Sequence, residues 1–335
     1  MSSLGHKLPI LTIGRPTYNR SEAVCDRLRE LICFDVKTEI KILIIDNHST
    51  DNTISKLEEI KNAHLDTMNV RLISNASNIG YVGNFFKLFE NCETEYLLIC
   101  SDEDELIESG IREILPFLSS HSPDFVSPIA YVNDSLYRGR LQKSEIEFAQ
   151  HENASLYVSG LIFKVQPARQ LLPWLQSLVQ DNALVEVYPQ TALAGFLIAS
   201  GRGRWHDAIA TWQRDNLPSH IAHSSGNEYH FLIGRHQQFK GALMLADIFI
   251  SKGGLLPAQI KKVYEYKSTL SEDYFRRLRQ ALEEEDTDLL KKFDASARRY
   301  YLFFWLSKVY GSKIGGKTGQ FVPKSLKKIL LRLAP

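Results

Sequence analysis

The sequence predicts an α/β fold built on a mostly parallel sheet with helices on both faces, extended by a helical C-terminal part. Two observations carry that expectation. Over the first 130 residues or so, apolar strand-like runs alternate with segments of helical spacing, the order that gives strand–helix–strand crossovers. Three polar clusters, RPTYNR, DNHSTD and SDEDE, each begin where an apolar run ends. In such a sheet they would gather on one rim, outside the carboxyl ends of the strands, where ligands bind.

The elements follow in order. Residues 8–14 form a short apolar run that stops at Arg15-Pro16. Residues 21–34 carry Val24, Leu28, Leu31 and Ile32 at helical spacing, with Ser21 and Glu22 as a helix start. IKILII at 40–45 is a β-branched run suited to a strand buried on both faces. A helix over 51–63 aligns Ile54, Leu57 and Ile60, and NVRLIS at 69–74 reads as a strand. A helix over 81–92 points Phe85, Leu88 and Phe89 inward, EYLLIC at 95–100 is a strand, 106–118 a helix and 124–130 a strand. Further on, SLYVSGLIFK at 155–164 reads as a strand with a Ser159-Gly160 break, 167–179 and 189–200 as helices, and 204–212 as a strand. After Gly226 the chain reads as helical over 229–251, 257–284 and 287–309; GSKIGGKTG at 311–319 reads as a linker and PKSLKKILLRL at 323–333 as a basic amphipathic tail. We therefore expect a domain over 1–220, split at about 130 into two halves, then a helical extension over 221–310 and a tail over 311–335.

Composition narrows the function. The 335 residues are 44% hydrophobic and 24% charged, enough for a sizeable core. Forty Lys and Arg against 39 Asp and Glu leave a formal charge of +1, which argues against nucleic acid as the main partner. Cys25, Cys33, Cys92 and Cys100 form no CxxC pair and read as reduced thiols. No secretory leader and no apolar run of roughly 18 to 20 residues is evident, so a cytoplasmic location is expected. His220, His223, His230 and His236 show no ligand pattern, and the aromatic run Tyr300, Tyr301, Phe303, Phe304 and Trp305 suits helix packing or a membrane-facing patch.

The polar clusters carry the chemistry. Asp102, Glu103, Asp104 and Glu105 repel one another if all are ionised, so a fold that keeps them offers them to a cation or to solvent. The cation reading gives an Asp-x-Asp site for Mg²⁺ or Mn²⁺ beside a diphosphate; the solvent reading gives an acidic turn capping the next helix. Asp46 directly follows a strand, where a carboxylate can accept from a base edge or a ribose, while Ser49, Thr50 and Asp51 suit a turn and cap. In RPTYNR, Tyr18 offers a flat face to a nucleobase and Arg15 or Arg20 could meet phosphate. Gly80 and Gly83 in SNIGYVGN would let backbone approach a ligand at a helix start.

Together, Pro16-Thr17-Tyr18-Asn19-Arg20, Asp46-Asn47-His48-Ser49-Thr50-Asp51, Asn78-Ile79-Gly80 with Asn84, and Asp102-Glu103-Asp104 resemble, in order and spacing, glycosyltransferase family 2, inverting enzymes of the GT-A fold. The resemblance is strong over about 8–130 and weaker to about 216. It implies that Thr17 and Tyr18 line a base pocket, that Asp46 contacts the base, and that Arg20, Asn78, Gly80 and Asn84 belong to the nucleotide-sugar site. Asp102 would face ribose and diphosphate, with Asp102, Glu103 and Asp104 as the candidate metal ligands. It also implies a nucleotide-sugar-binding half over 1–130 and an acceptor half over 131–220, with a catalytic base in the latter. No acid adjoins Pro189-Gln190, so Glu186 is preferred, then Asp181, with His206-Asp207 next. YVSGLIFK and VYPQ look like the branch that builds bacterial O-antigen or capsule repeat units, which implies a polyprenyl-diphosphate-linked acceptor at the inner face of the membrane, with the tail as a peripheral contact or a docked helix, and leaves room for a homo-oligomer. The competing readings are a nucleotidyltransferase, for which RPTYNR lacks a glycine-rich loop, and a degenerate non-catalytic partner.

Overall fold

The computed structural model describes residues 8–64, 69–132, 134–140, 143–199, 202–213 and 232–251. The segments expected to be helical over 257–284 and 287–309, the linker and the tail lie outside these residues, as do His220, His223 and His230 and the aromatic run at 300–305. Among the described residues, ten strands make one sheet in the order β3-β2-β1-β4-β9-β6-β10-β5, with β7 beside β6 and β8 beside β10. The parallel half is β1 (Leu11–Thr17), β2 (Ile40–Asp46), β3 (Val70–Ser74) and β4 (Tyr96–Ile99). β9 (Leu161–Lys164) then runs antiparallel to both β4 and β6 (Phe125–Val132). β10 (Gly203–Gln213) lies parallel to β6, and the short β5 (Glu105–Leu106) antiparallel to β10. β7 (Ser135–Arg138) and β8 (Ser144–Glu145) are short antiparallel additions.

Alternation along the strands builds two cores. Leu43 and Ile45 of β2, with Leu97 and Ile99 of β4, face one cluster, which takes in α3 (Gly80–Asn91), α6 (Val165–Leu178) and α8 (Pro189–Ala199). Ile42 and Ile44, with Tyr96 and Leu98, face the other, under α1 (Ser21–Ile32), α2 (Thr53–Ala63) and α4 (Glu108–His121). Both faces of the sheet are therefore covered, as a buried parallel sheet requires. α9 (Leu232–Ser251) adds Ala242, Leu245 and Ala246 to the first core and packs on the short α7 (Ala183–Val187). There Asn182 Nδ2 donates to the Gly241 carbonyl at 3.0 Å, and a side chain at Gly241 would collide with Asn182 Oδ1.

Three expectations needed correction. β1 runs past Arg15-Pro16 to Thr17, pairing Thr17 with Asp46. The Gly14 carbonyl points towards β4, accepting from Cys100 N at 3.0 Å. Peptide groups alternate in direction, so Pro16 lacks its N–H on that same side, beyond the end of β4, and no ladder bond is lost. Residues 155–164 are not one strand. A single helical turn, α5 (His151–Ser155), precedes a loop, and the strand starts only at Leu161, because Gly160 sits at φ +83°, outside strand geometry. The helix expected over 106–118 occupies Glu108–His121 instead, since Glu105 and Leu106 are drawn into the sheet by Trp212 and Thr211.

Candidate active site

Thr17, Asp46 and Ser74 stand abreast at the carboxyl ends of β1, β2 and β3. Asp46 is buried, and its carboxylate accepts from Ser49 N at 3.0 Å, from the Ser49 hydroxyl and from Ser74 Oγ at 2.9 Å. It therefore orders the DNHST turn as well as lying on the rim. Asn19, at φ +51°, a conformation Asn tolerates, docks the first motif on that turn: its Oδ1 accepts from Thr50 N at 2.8 Å and its own N–H donates to Ser49 Oγ at 2.8 Å. Tyr18 beside it is left 43% exposed, a free aromatic face at the end of β1.

The asparagines form a brace between β2 and α3. Asn47 Nδ2 donates to Asn78 Oδ1 at 2.8 Å, and Asn47 Oδ1 accepts from Ile79 N at 3.0 Å. Asn75 links Asn47 to Asn84, and Asn84 Nδ2 donates to the Ile45 carbonyl. Asn84 is thus buried and turned inward, with its amide engaged on both sides. Gly80 sits at φ +74° with open space where a side chain would be, so the backbone turn explains it; the space at Gly83 is filled by Ile79. Close ligand approach is not what either glycine's surroundings require.

The acidic loop follows β4. Thr17 Oγ1 donates to Asp102 Oδ2 at 2.8 Å, and Arg20 pairs with Glu103 at 2.8 Å. Asp104, 1% exposed, is reached from the far side: its Oδ2 accepts from Tyr157 OH at 2.7 Å and from the Ser159 hydroxyl, while its Oδ1 has no partner among the described residues. Arg15, wholly buried, does not reach the rim; it donates to the carbonyls of Ser101 and Asp104, at 3.1 Å for the latter, and so shapes the loop from beneath. Burial pushes the carboxyls of Asp102, Glu103 and Asp104 up from their ordinary values; for Asp102 the Thr17 hydroxyl and Arg20 oppose the shift, for Glu103 Arg20, and for Asp104 Ser159 and Tyr157. Among the described residues no three His, Cys, Asp or Glu side chains converge as a cage. One or two carboxylates completed by substrate phosphates is how Mg²⁺ is ordinarily held, and the free, buried Oδ1 of Asp104 fits such a partial donor set.

A family model described as "Glycosyl transferase family 2" matches residues 12–184. The chain belongs to glycosyl transferase family 2. Among its relatives is the poly(ribitol-phosphate) β-N-acetylglucosaminyltransferase TarS of Staphylococcus aureus, 25% identical over 111 residues, 32% of this chain and 19% of that protein. The match thus spans about a fifth of the relative's length. The structure of TarS residues 1–349 with UDP-GlcNAc superposes with a TM-score of 0.58 at 15% identity, covering 88% of this chain and 79% of that one. A Pyrobaculum calidifontis mannosyltransferase bound to GDP-Man and Mn²⁺ gives 0.55 at 14% identity, over 98% and 86%. These likenesses establish the GT-A fold of this family 2 glycosyltransferase.

Beyond β9, Asn182 caps α7 through bonds from Leu184 N and Val185 N. Glu186 is half-buried on that helix, and Asp181 is exposed just before it. The α7–α8 corner reaches the loop behind Asp104, where Gln190 Nε2 donates to the Leu156 carbonyl at 3.1 Å and Thr191 Oγ1 to that of Ser155 at 3.3 Å. His206 faces elsewhere, edge-on to Phe117 of α4 at 4.6 Å between ring centres and wholly buried. It belongs to the core under α4, with Asp207 at the surface. Tyr157, Ser159 and Arg138 were missed in the sequence; the small-residue break at Ser159-Gly160 was the one visible sign of them.

Proposed function

We propose that this glycosyltransferase transfers a sugar, with inversion, from a nucleotide-sugar donor to a saccharide acceptor with the help of Mg²⁺ or Mn²⁺. The observation that carries the reading is Asp104: a buried carboxylate at a strand exit, beside Asp102, with one oxygen held by the protein and one unpartnered. The donors named for structural neighbours, UDP-GlcNAc and GDP-Man with Mn²⁺, support a nucleotide-sugar class.

On this reading the base lies over Tyr18 and the Asp46 turn, and the diphosphate runs along the rim towards Asp102. Thr17 orients Asp102 by donating to Oδ2, while Oδ1 takes only a long 3.5 Å bond from the Ser101 hydroxyl. Asp102 and Asp104 would hold a divalent cation, whose positive charge would stabilise the departing diphosphate. The acceptor enters from the α7–α8 side. A carboxylate there, Glu186 first and Asp181 second, takes the hydroxyl proton as the acceptor oxygen bonds to the anomeric carbon and the bond to the diphosphate breaks. Half-burial on a capped helix favours Glu186 over the exposed Asp181. The acceptor we propose is a polyprenyl-diphosphate-linked oligosaccharide of surface polysaccharide synthesis, met at the inner face of the membrane through the basic tail.

The test is a panel of UDP-, GDP- and TDP-sugars with Mn²⁺, Mg²⁺ or chelator, scored by nucleoside diphosphate release and by transfer to lipid-linked and poly(ribitol-phosphate) acceptors. Metal-dependent turnover with one donor is expected. Asp104→Ala should lose at least a few kcal/mol of transition-state stabilisation, on the order of a hundredfold or more in rate. Undiminished turnover by folded Asp104→Ala, or no turnover with any donor, would overturn the reading.

A further inference from the structure

Arg138 is a buried cation that forms no ion pair among the described residues. It ends β7 opposite Ala130 of β6 and is 3% exposed, and among the described residues no carboxylate lies within ion-pair distance of it. Its guanidinium spends its donors on three backbone carbonyls: Nε on Pro128 at 3.2 Å, Nη2 on Ser159 at 2.8 Å and Nη1 on Tyr157. Holding a bare charge inside a protein is costly, and burial lowers its pKa to about 9. A hairpin alone could be closed by neutral donors.

The two loop carbonyls it holds belong to the two residues whose side chains grip Asp104. Tyr157 OH donates to Asp104 Oδ2 at 2.7 Å, and the Ser159 hydroxyl reaches the same oxygen while Ser159 Oγ accepts from Ser101 N at 2.9 Å. Thr211 Oγ1 adds a second donor to the Ser159 carbonyl at 3.3 Å. Gly160, at φ +83°, closes the loop against the clamp: a side chain there would begin 3.0 Å from Arg138 Nη2 and 3.1 Å from Thr211 Oγ1.

We propose that Arg138 is a positioning residue for the donor's cation: through the carbonyls of Tyr157 and Ser159 it fixes Asp104 Oδ2, so that the unpartnered Oδ1 is the oxygen turned to the diphosphate metal. This rests on the nucleotide-sugar reading above. A planar fork spans carbonyls that an ammonium cannot reach together, so Arg138→Lys keeps the charge and loses the geometry.

The test measures Mn²⁺ affinity in the presence of UDP, GDP or TDP by the electron paramagnetic resonance of free Mn²⁺, alongside thermal stability and the split between kcat and donor KM. Arg138→Lys is expected to fold and to weaken Mn²⁺ binding at least about tenfold. The Tyr157→Phe/Ser159→Ala double variant should do the same. Adding Arg138→Lys to that double variant should cost less than about threefold more, because the route is already cut. Wild-type Mn²⁺ affinity in Arg138→Lys, or a triple variant whose losses simply multiply, overturns the proposal. If Arg138→Lys does not fold, the double variant decides, and unchanged Mn²⁺ affinity there overturns it as well. Wild-type protein that binds no Mn²⁺ with any of the three nucleotides removes the nucleotide-sugar reading and the clamp together, an outcome distinct from failure of the clamp alone.

Discussion

At Asp46 one carboxylate holds structure and, on the proposed reading, binds nucleotide. It holds Ser49 and Ser74, and it stands at the rim where a base would lie. Asp46→Ala should raise the nucleotide dissociation constant more than it lowers turnover at saturating donor, since a base contact is alike in ground and transition states. It should also lower stability by about 1–3 kcal/mol, because the Ser49 and Ser74 donors lose their acceptor. Calorimetric binding and denaturant unfolding read the two effects separately; a collapse of turnover with unchanged nucleotide affinity would contradict the first. The rim acids were legible because acids directly after apolar runs mark strand exits. Arg15 was not: its neighbour Pro16 made it look like a loop residue, and only the ladder directions show why the strand continues over it. Tyr157 and Ser159 had no periodic signal, because their roles come from a loop that meets Asp104 across more than 50 positions.

The element scale shows what periodicity can reveal. Val24, Leu28 and Leu31 are buried as α1's spacing required, and β2 lies buried between β1 and β3. The two-residue β5 and β8 and the single-turn α7 are too short to show a period, and they exist through pairing or packing partners far along the chain. α4 gives a sharp test of such packing. It presses on β10 so closely that a side chain at Gly110 would begin 1.9 Å from the Ile209 carbonyl oxygen. Gly110→Ala should therefore destabilise the fold by about 1–3 kcal/mol, against the small gain alanine gives in an open helix. A variant as stable as wild type in urea would show that α4 can shift. His206, beneath the same helix, is held neutral: burial and the nearby Lys143 and His121 charges, opposed by Asp207, lower its pKa from 6.5 to about 4. The unfolded chain takes up its proton first, so this residue costs no stability above pH 6.5 and up to about 3 kcal/mol as pH falls to 4. His206→Leu should flatten that part of the stability–pH curve, and an unchanged slope would place the titration elsewhere.

At the scale of the whole sequence, a formal charge near zero makes the basic tail over 323–333 a local feature suited to an anionic surface. Among the described residues no helix is long and apolar enough to cross a membrane. Removing residues 320–335 should keep donor hydrolysis and reduce both sedimentation with anionic vesicles and transfer to a lipid-linked acceptor. Equal sedimentation of the shortened chain would refute the anchor, and unfolding would favour a docked helix.

The pairing of Glu105 and Leu106 with Trp212 and Thr211 also sets an order of events during synthesis. Within β1 to β4, the β1–β2 and β2–β3 pairs join strands about 30 residues apart, and contacts nearer in sequence form earlier than distant ones. The acidic loop hangs from β4 on one side, but its other end is tied down by a strand made about a hundred residues later. Thr211 also steadies the loop that grips Asp104. A nascent chain can therefore pair its first strands while the acids remain untethered, and the acidic rim is finished last. Pulse-labelled hydrogen exchange during refolding should show Ile42 and Leu98 amides protected before those of Asp104 and Ile107.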